Sequence, residues 1–220
     1  MNINPQIANQ VIITLAFFCA GVPSRYANEE LLHKMGSNKE QLKSFQYRGN
    51  GWPGFATAID LDGLEHRMSY QDAWGKYLGR DVNRICRYCM DGIGEFADVA
   101  CADLWYLDNE GNPDFSEHDG RSIIFCRNSV GLSVVQDATR KKYLHVEDCS
   151  HLIPVFMNYQ PYHYSRRITM KYKLIALGLF RHFAPKYNKS ILNQASAYSN
   201  NKLNWSVFKG TVKRIIQGKL

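Results

Sequence analysis

Acidic side chains run out at Asp148, and none occurs in the remainder of the chain. Residues 160–220 hold twelve Lys or Arg and no acid, whereas residues 1–159 hold fifteen basic residues against twenty acidic ones. The two parts of the chain therefore face different electrostatic surroundings. Long apolar runs are also missing. The longest, around Val11–Gly21, is too short to cross a bilayer and contains Thr14 and Cys19. Met1–Gln10 lacks the basic start of a secretory signal. These absences lead to the expectation of a soluble, intracellular, cytoplasmic protein. Six cysteines in 220 residues are too few for a disulfide scaffold. A second Cys-x-x-Cys, which a zinc ribbon would usually carry, is absent. No internal repeat is visible, and the basic segment has no nucleic-acid recognition motif, so nucleic acid is not expected as a partner.

What is present has the pattern of a folded α/β domain. The run VIITLAFF at 11–18 is rich in β-branched and aromatic residues and predicts a buried strand. Ser24 is placed to cap a helix through ANEELLHKM, with Gly36 as its stop. Strands are predicted at 45–48, 55–61, 66–69, 97–104, 122–127 and 143–146, with Asp62-Gly63 as a hairpin turn. Helices are predicted at 70–78, 130–141, 168–183 and 205–217. The fold class is α/β: a mixed sheet with flanking helices over residues 1–150, and a basic, mainly helical C-terminal tail over residues 151–220.

Three segments can carry chemistry. In CRYCMD, Cys86 and Cys89 can hold a metal or cluster from one turn, whose backbone N–H groups can bond the sulfurs. The same pair could also serve as a redox dithiol or as plain structural thiols. A cluster needs four ligands. Cys19, at the end of the predicted strand, is the best third candidate, and Cys101 is a weaker fourth. Four thiolates also suit zinc. Cys126 and Cys149 have no patterned neighbours and read as small buried hydrophobes. In FCAGVPS, Gly21 and Ser24 stand at a strand-to-helix turn that can present N–H groups to a phosphate or a cofactor edge; an ordinary turn has the same local pattern. In RGNGWPG, Arg48 can meet a phosphate, and Trp52, held in a Gly/Pro-rich loop closed by Gly54, can stack on a flavin ring; a hairpin loop with a packed Trp is the plainer alternative.

Taken together and in this order, FCAGVPS, RGNGWPG and CRYCMDGIGEFADVACADLW resemble the C-terminal portion of the coenzyme F420 hydrogenase/dehydrogenase beta-subunit family. SEHDGRSIIFCRNSVG resembles a later strand-and-turn segment of the same family. The resemblance covers about residues 10–150 and is nearest to the branch encoded in bacterial polysaccharide clusters. It implies an FAD-binding α/β fold with a 4Fe-4S cluster, in which electrons pass between cluster and flavin. Cys86 and Cys89 carry over as cluster ligands. Asp91, Asp98 and Asp103 match acidic positions of the motif. Ser24 stands where many relatives have the cysteine of GTPC, a change for which Cys19 can compensate. Relatives usually have a further N-terminal half, often ferredoxin-like, so a separate redox partner is expected here.

Two other functional classes compete with this reading: a truncated, non-catalytic interaction protein at the membrane surface, and a zinc-stabilised binding module. In WSVFKGTVKRIIQGKL, Trp205, Phe208, Val212, Ile215 and Ile216 recur at helical spacing, with Lys209, Lys213 and Arg214 to another side. That pattern suits a helix lying on an anionic membrane, here the inner face of the cytoplasmic membrane. It equally suits a helix whose apolar side packs on the α/β body.

Overall fold

A computed structural model describes residues 4–218. Met1–Ile3, Lys219 and Leu220, the last two being the end of the expected tail, lie outside the described residues. The first half of the chain forms α1 (Pro5–Ala8), β1 (Leu15–Phe17), α2 (Arg25–Met35), β2 (Leu42–Gln46), β3 (Phe55–Asp60), β4 (Glu65–Ser69) and α3 (Tyr70–Asp72). A π-helical turn at Ala73–Leu78 and a 3-10 turn at Arg84–Tyr88 follow. Next come β5 (Val99–Asp103), β6 (Tyr106–Leu107), β7 (Pro113–Asp114), β8 (Ser122–Cys126) and α4 (Ser129–Arg140). After a 3-10 turn at Ser150–Val155, the chain ends in helices α5 (Phe156–Tyr159), α6 (Pro161–Leu179), α7 (Lys189–Ser196) and α8 (Asn201–Ile216). This is the mixed α/β class expected from the periodicities.

Packing divides the chain into two units, each assembled from separated stretches of sequence. The first comprises Met1–Cys19, Asp91–Asp114 and Gly120–Tyr159. Its sheet has the order β1-β5-β8, with β1 parallel and β8 antiparallel to β5. Ala102, Leu104, Ile123 and Phe156 form its core, with Phe18 and Phe125 packed against them. Phe18 stacks on Phe125 at 5.5 Å, and Phe156 meets Phe125 edge-on at 4.9 Å. Asp98 ties the start of the sheet to the helix behind it. Its carboxylate accepts from Thr14 N and Thr14 Oγ1, both at 2.7 Å, and from Asn128 Nδ2 at 2.6 Å. Asn128 in turn caps α4, accepting from Gly131 N at 3.0 Å. These bonds hold the Asp98 carboxyl below its ordinary pKa, with Asn128 the largest cause and Thr14 next.

Two expectations in this unit change. The strand predicted over 11–18 shrinks to three residues at a sheet edge, with Leu15 70% and Phe17 73% exposed. An edge strand has one neighbour, and within β1 only Ala16 is turned partly away from solvent. Residues 143–146 form no strand, and Tyr143, Leu144 and Val146 are exposed. Their alternation lacks a sheet edge to join.

The second unit comprises Ala20–Met90, Phe115–Asp119 and Gln160–Leu220. The segment read from sequence as a basic tail therefore packs, from Gln160 onward, in the same unit as residues 20–90. Its sheet is the antiparallel meander β2-β3-β4. Leu31, Ala56, Ala73 and Leu78 form its core, with Met35, Phe45, Met68, Trp74 and Tyr77 around them. Ser24 caps α2, its Oγ accepting from Ala27 N at 3.1 Å, and Gly36 ends the helix at φ 90, a left-handed position that suits glycine. Asp60 is buried in this sheet, bonded to Ser37 Oγ and, at 2.8 Å, to His66 Nε2. The pair of long helices α6 and α8 packs together. Asn204 and Thr211 are the buried residues of α8.

Candidate functional site

The Cys-x-x-Cys segment begins where Asn83 caps a short turn, its side-chain oxygen accepting from Ile85 N at 3.3 Å. The turn is 3-10, so Cys86 and Cys89 stand three residues apart on one tight loop. Cys86 N–H donates to Asn83 O at 3.0 Å and Cys89 N–H to Cys86 O at 3.3 Å. The FCAGVPS turn lies against this loop. Pro23 bridges to Val82, and Asn83 N–H donates to Val22 O at 2.7 Å. Val22 N–H points at Cys86 Sγ, 3.4 Å away. Gly21 has φ +139, and a Cβ there would come within 3.1 Å of Val82 Cγ1 and 3.4 Å of Cys86 Cβ. Only glycine allows this approach without strain. Two motifs that the sequence reading treated separately thus form one site, with a backbone donor aimed at a sulfur.

Side chains from further along the chain hold that site in place. Ser24 Oγ donates to Asp81 Oδ2 at 2.5 Å, and Ser24 N–H donates to Asp81 O at 2.8 Å. Arg87 pairs with Asp81 Oδ1 at 2.7 Å and reaches Val82 O at 3.2 Å. Lys173, on α6, donates to Arg87 O at 2.6 Å. Tyr187 donates to Tyr88 O at 2.5 Å and accepts from Met90 N at 3.3 Å. Buried Arg166 donates to Ala20 O at 3.2 Å. Burial lowers the Lys173 pKa to about 8, helped by the positive charges of Arg214, Arg166 and Arg87. The loop thus sits among cations, a setting that favours a bound anionic group.

Two N–H groups at the start of α2 are used within the protein. Ser24 N–H is used by Asp81, and Ser24 Oγ satisfies Ala27. Here the Asp81 backbone carbonyl and the Ser24 hydroxyl accept N–H groups of the kind a phosphate takes at other helix starts. The RGNGWPG loop is closed in a similar way. Trp52 and Pro53 are joined by a cis peptide. The carboxylate of Glu117 accepts from Trp52 N–H and, at 3.3 Å, from Gly54 N–H, while His118 N–H donates to Trp52 O at 3.0 Å. Trp52 is half-buried and Gly54 buried. The Arg48 guanidinium lies 5.7 Å from the centre of the Tyr70 ring.

The other proposed ligands lie in the first unit. Cys19 lies two residues beyond β1 and donates its N–H to Gly92 O at 2.8 Å. Cys101 is central in β5, paired with Phe17 on one side and Ile124 on the other. Cys126, on β8, has its thiol pKa raised by burial and then by Cys101. Asp91 closes its own loop, accepting from Ile93 N and Glu95 N. Among the described residues, no three His, Cys, Asp or Glu side chains are grouped to hold a metal ion. Within the second unit the two-cysteine turn is the shared element. Asp81, Glu117, Arg166, Lys173 and Tyr187 were missed from sequence. Asp81, five residues before Cys86, was the one within reach of a motif-based reading.

A family model described as the C terminus of the beta subunit of coenzyme F420 hydrogenase/dehydrogenase matches residues 1–151. No curated protein matches the sequence. Among solved structures, a chain of the xenon-derivatised F420-reducing NiFe hydrogenase complex from Methanosarcina barkeri is similar, with a TM-score of 0.53 and 15% identity. The match covers 84% of this chain and 57% of that one, so this chain spans little more than half the length of its structural relative. At that identity the likeness is one of fold. The family model covers more than half of the chain, including both halves of the Gly21–Cys86 contact, and the chain belongs to this family, defined by the C-terminal part of coenzyme F420 hydrogenase/dehydrogenase beta subunits.

Proposed function

We propose that this chain is the C-terminal part of an iron–sulfur flavoprotein oxidoreductase that passes electrons between a 4Fe-4S cluster and FAD. The observation that carries the reading is the Val22 N–H directed at Cys86 Sγ within a Cys-x-x-Cys turn. Hydrogen bonds to sulfur are one of the means by which proteins set cluster potentials. The donor set fits in part: Cys86 and Cys89 supply two soft ligands from one turn, and the remaining positions are left to a partner protein. When bound, the cluster would supply one-electron transfer, which the flavin converts to two-electron chemistry. The chain's own task is to fix the sulfurs through Gly21, Val22 and Asn83, and to steady the loop through Arg87, Lys173 and Tyr187. For the flavin, Trp52 would offer its ring and Arg48 its charge. Glu117 already uses the Trp52 and Gly54 N–H groups, so these would not bind the flavin's phosphates.

Three finer points extend this reading. A separate N-terminal or ferredoxin-like protein would complete the electron path; support comes from the short span relative to the structural neighbour, itself part of a complex. The resemblance to the polysaccharide-cluster branch directs the electrons to a nucleotide sugar or another glycan precursor. Peripheral attachment at the inner face of the cytoplasmic membrane draws support from α8. Trp205 is 57% and Ile216 74% exposed, and Lys209 lies 5.1 Å from the Trp205 ring centre. Of the apolar stripe on α8, Phe208, Val212 and Ile215 are half-buried, so the exposed apolar surface is that of Trp205 and Ile216.

The test is purification under strictly anaerobic conditions, followed by metal analysis and visible spectroscopy. Brown protein containing iron and sulfide supports the proposal. Colourless protein retaining zinc would replace it with a zinc-stabilised binding module. Folded, metal-free protein would replace it with a non-catalytic interaction role.

A further inference from the structure

The sheet of the first unit is open along β1. Among the described residues, β5 is the neighbour of β1 on one side and no strand lies on the other. Thr14 O accepts from Val99 N–H at 3.2 Å, and Phe18 N–H donates to Cys101 O at 2.8 Å. Backbone groups alternate sides along a strand, so the N–H and C=O groups of Leu15 and Phe17 face away from β5. These two side chains are 70% and 73% exposed, and Ile12 just before them is 90% exposed. Register puts Leu15 in a row with Val99 and Cys126, and Phe17 in a row with Cys101 and Ile124, on one face of the sheet. Monomeric proteins guard such an edge with charge, proline or a bulge. Here the first charged side chain is Arg25, no proline occurs between Pro5 and Pro23, and the register of β1 with β5 runs without a bulge.

We propose that β1 pairs antiparallel with β1 of a second copy of this chain, joining two three-stranded sheets into one of six strands. The donors and acceptors of an open edge are matched by another extended backbone. A second copy supplies one with the same spacing. About a two-fold axis each outward residue both donates to and accepts from its counterpart, so the contact is self-complementary and closes as a dimer. Charge selects the same occupant. Residues 1–24 carry no charged side chain, so this segment meets its own copy without repulsion and offers nothing to a partner recognised by charge; the net charge of +7 opposes association of copies through other surfaces. With Val11, Ile12, Leu15, Phe17 and the backbone between them, two copies would cover on the order of 1,000 Å², the low end for a specific interface, so a dissociation constant on the order of micromolar is expected. Neither Leu15 nor Phe17 is a cluster or flavin candidate, and the proposal stands apart from the redox reading.

The experiment is analytical ultracentrifugation of the full chain, under reducing conditions, over a concentration series spanning the micromolar range. It is run on wild type, on Leu15→Lys with Phe17→Lys, on Leu15→Glu with Phe17→Glu, and on a one-to-one mixture of these two variants. The control is Tyr26→Lys with Tyr198→Lys, which adds the same charge at two exposed positions of the other unit. Each protein is checked for folding by circular dichroism. Wild type and control should pass from monomer to dimer as concentration rises. Each edge variant alone should bind itself roughly tenfold more weakly or worse, because like charges face each other across the two-fold, and the mixture should regain association because opposite charges do. Should the Phe17 changes prevent folding, Leu15→Lys and Leu15→Glu carry the same comparison. Wild type that stays monomeric throughout would overturn the proposal. So would folded edge variants that dimerise as tightly as wild type, a control weakened as much as they are, or a mixture no more associated than its parts.

Discussion

His163 makes the stability of this protein sensitive to mild acid. The residue lies near the start of α6, is buried, and meets the Tyr162 ring at 5.9 Å. Burial, and secondarily the charge of Arg166, lowers its pKa from 6.5 to about 4. As pH falls through 6.5, the unfolded chain takes up a proton at this ring and the folded chain does not. Folding stability is therefore complete above about pH 6.5 and is lost progressively down to about pH 4. The gap bounds the loss at roughly 3 kcal/mol, and relaxation with water entry around the ring reduces it to about 2 kcal/mol. Asp60, Asp72, Asp98 and Asp148 all sit below the ordinary value of 3.8, so their losses come at lower pH. The assay is urea unfolding followed by circular dichroism at about pH 7 and about pH 4.5, on wild type and His163→Leu. Between the two conditions, wild type should lose about 2 kcal/mol more than the variant. An equal loss in both proteins would refute the assignment.

Three further outcomes follow from the geometry. Gly21→Val adds a Cβ against Val82 and Cys86 at a left-handed φ; it should displace Val22 N–H from the sulfur and lower iron content, read by metal analysis on protein with wild-type circular dichroism. Trp52→Ala should weaken FAD binding about fivefold, as loss of an aromatic stacking pair implies, measured by flavin fluorescence, while the Glu117-held loop keeps the fold intact. Trp205→Ser combined with Ile216→Ser should abolish salt-sensitive co-sedimentation with anionic liposomes while the buried Asn204 and Thr211 of α8 are left unchanged; unchanged pelleting would exclude the membrane face.

Local signals in the sequence were legible where the cause is local. Ser24 and Gly36 bracket α2 because a capping hydroxyl and a left-handed stop act within a few residues. The Asp62-Gly63 turn joins β3 to β4 for the same reason, with Gly63 at φ +89. The two-cysteine turn was visible as a motif. Its surroundings were not, because the partners are remote: Ser24 and Asp81 are 57 residues apart, Arg87 and Lys173 86, and Ala20 and Arg166 146. Glu117 sits 65 residues from Trp52, in a loop that reads as plain polar surface. The basic segment read as a tail because charge sets it apart from the rest. Its place in the second unit depends on contacts such as Arg166 with Ala20, which composition does not encode. The hydrophobicity of 11–18 suggested burial, but it does not show how many neighbours a strand will have.

The measurement that tests the central claim most directly is iron content and electron paramagnetic resonance on anaerobically purified wild type, Cys86→Ser, Cys89→Ser and Cys126→Ser. Cys126 is the internal control, a thiol kept protonated by burial in the other unit. The account predicts that Cys86→Ser and Cys89→Ser lose iron and its reduced-state signal while Cys126→Ser retains both. Iron that survives equally in all three variants, or wild-type protein that binds none, would contradict it.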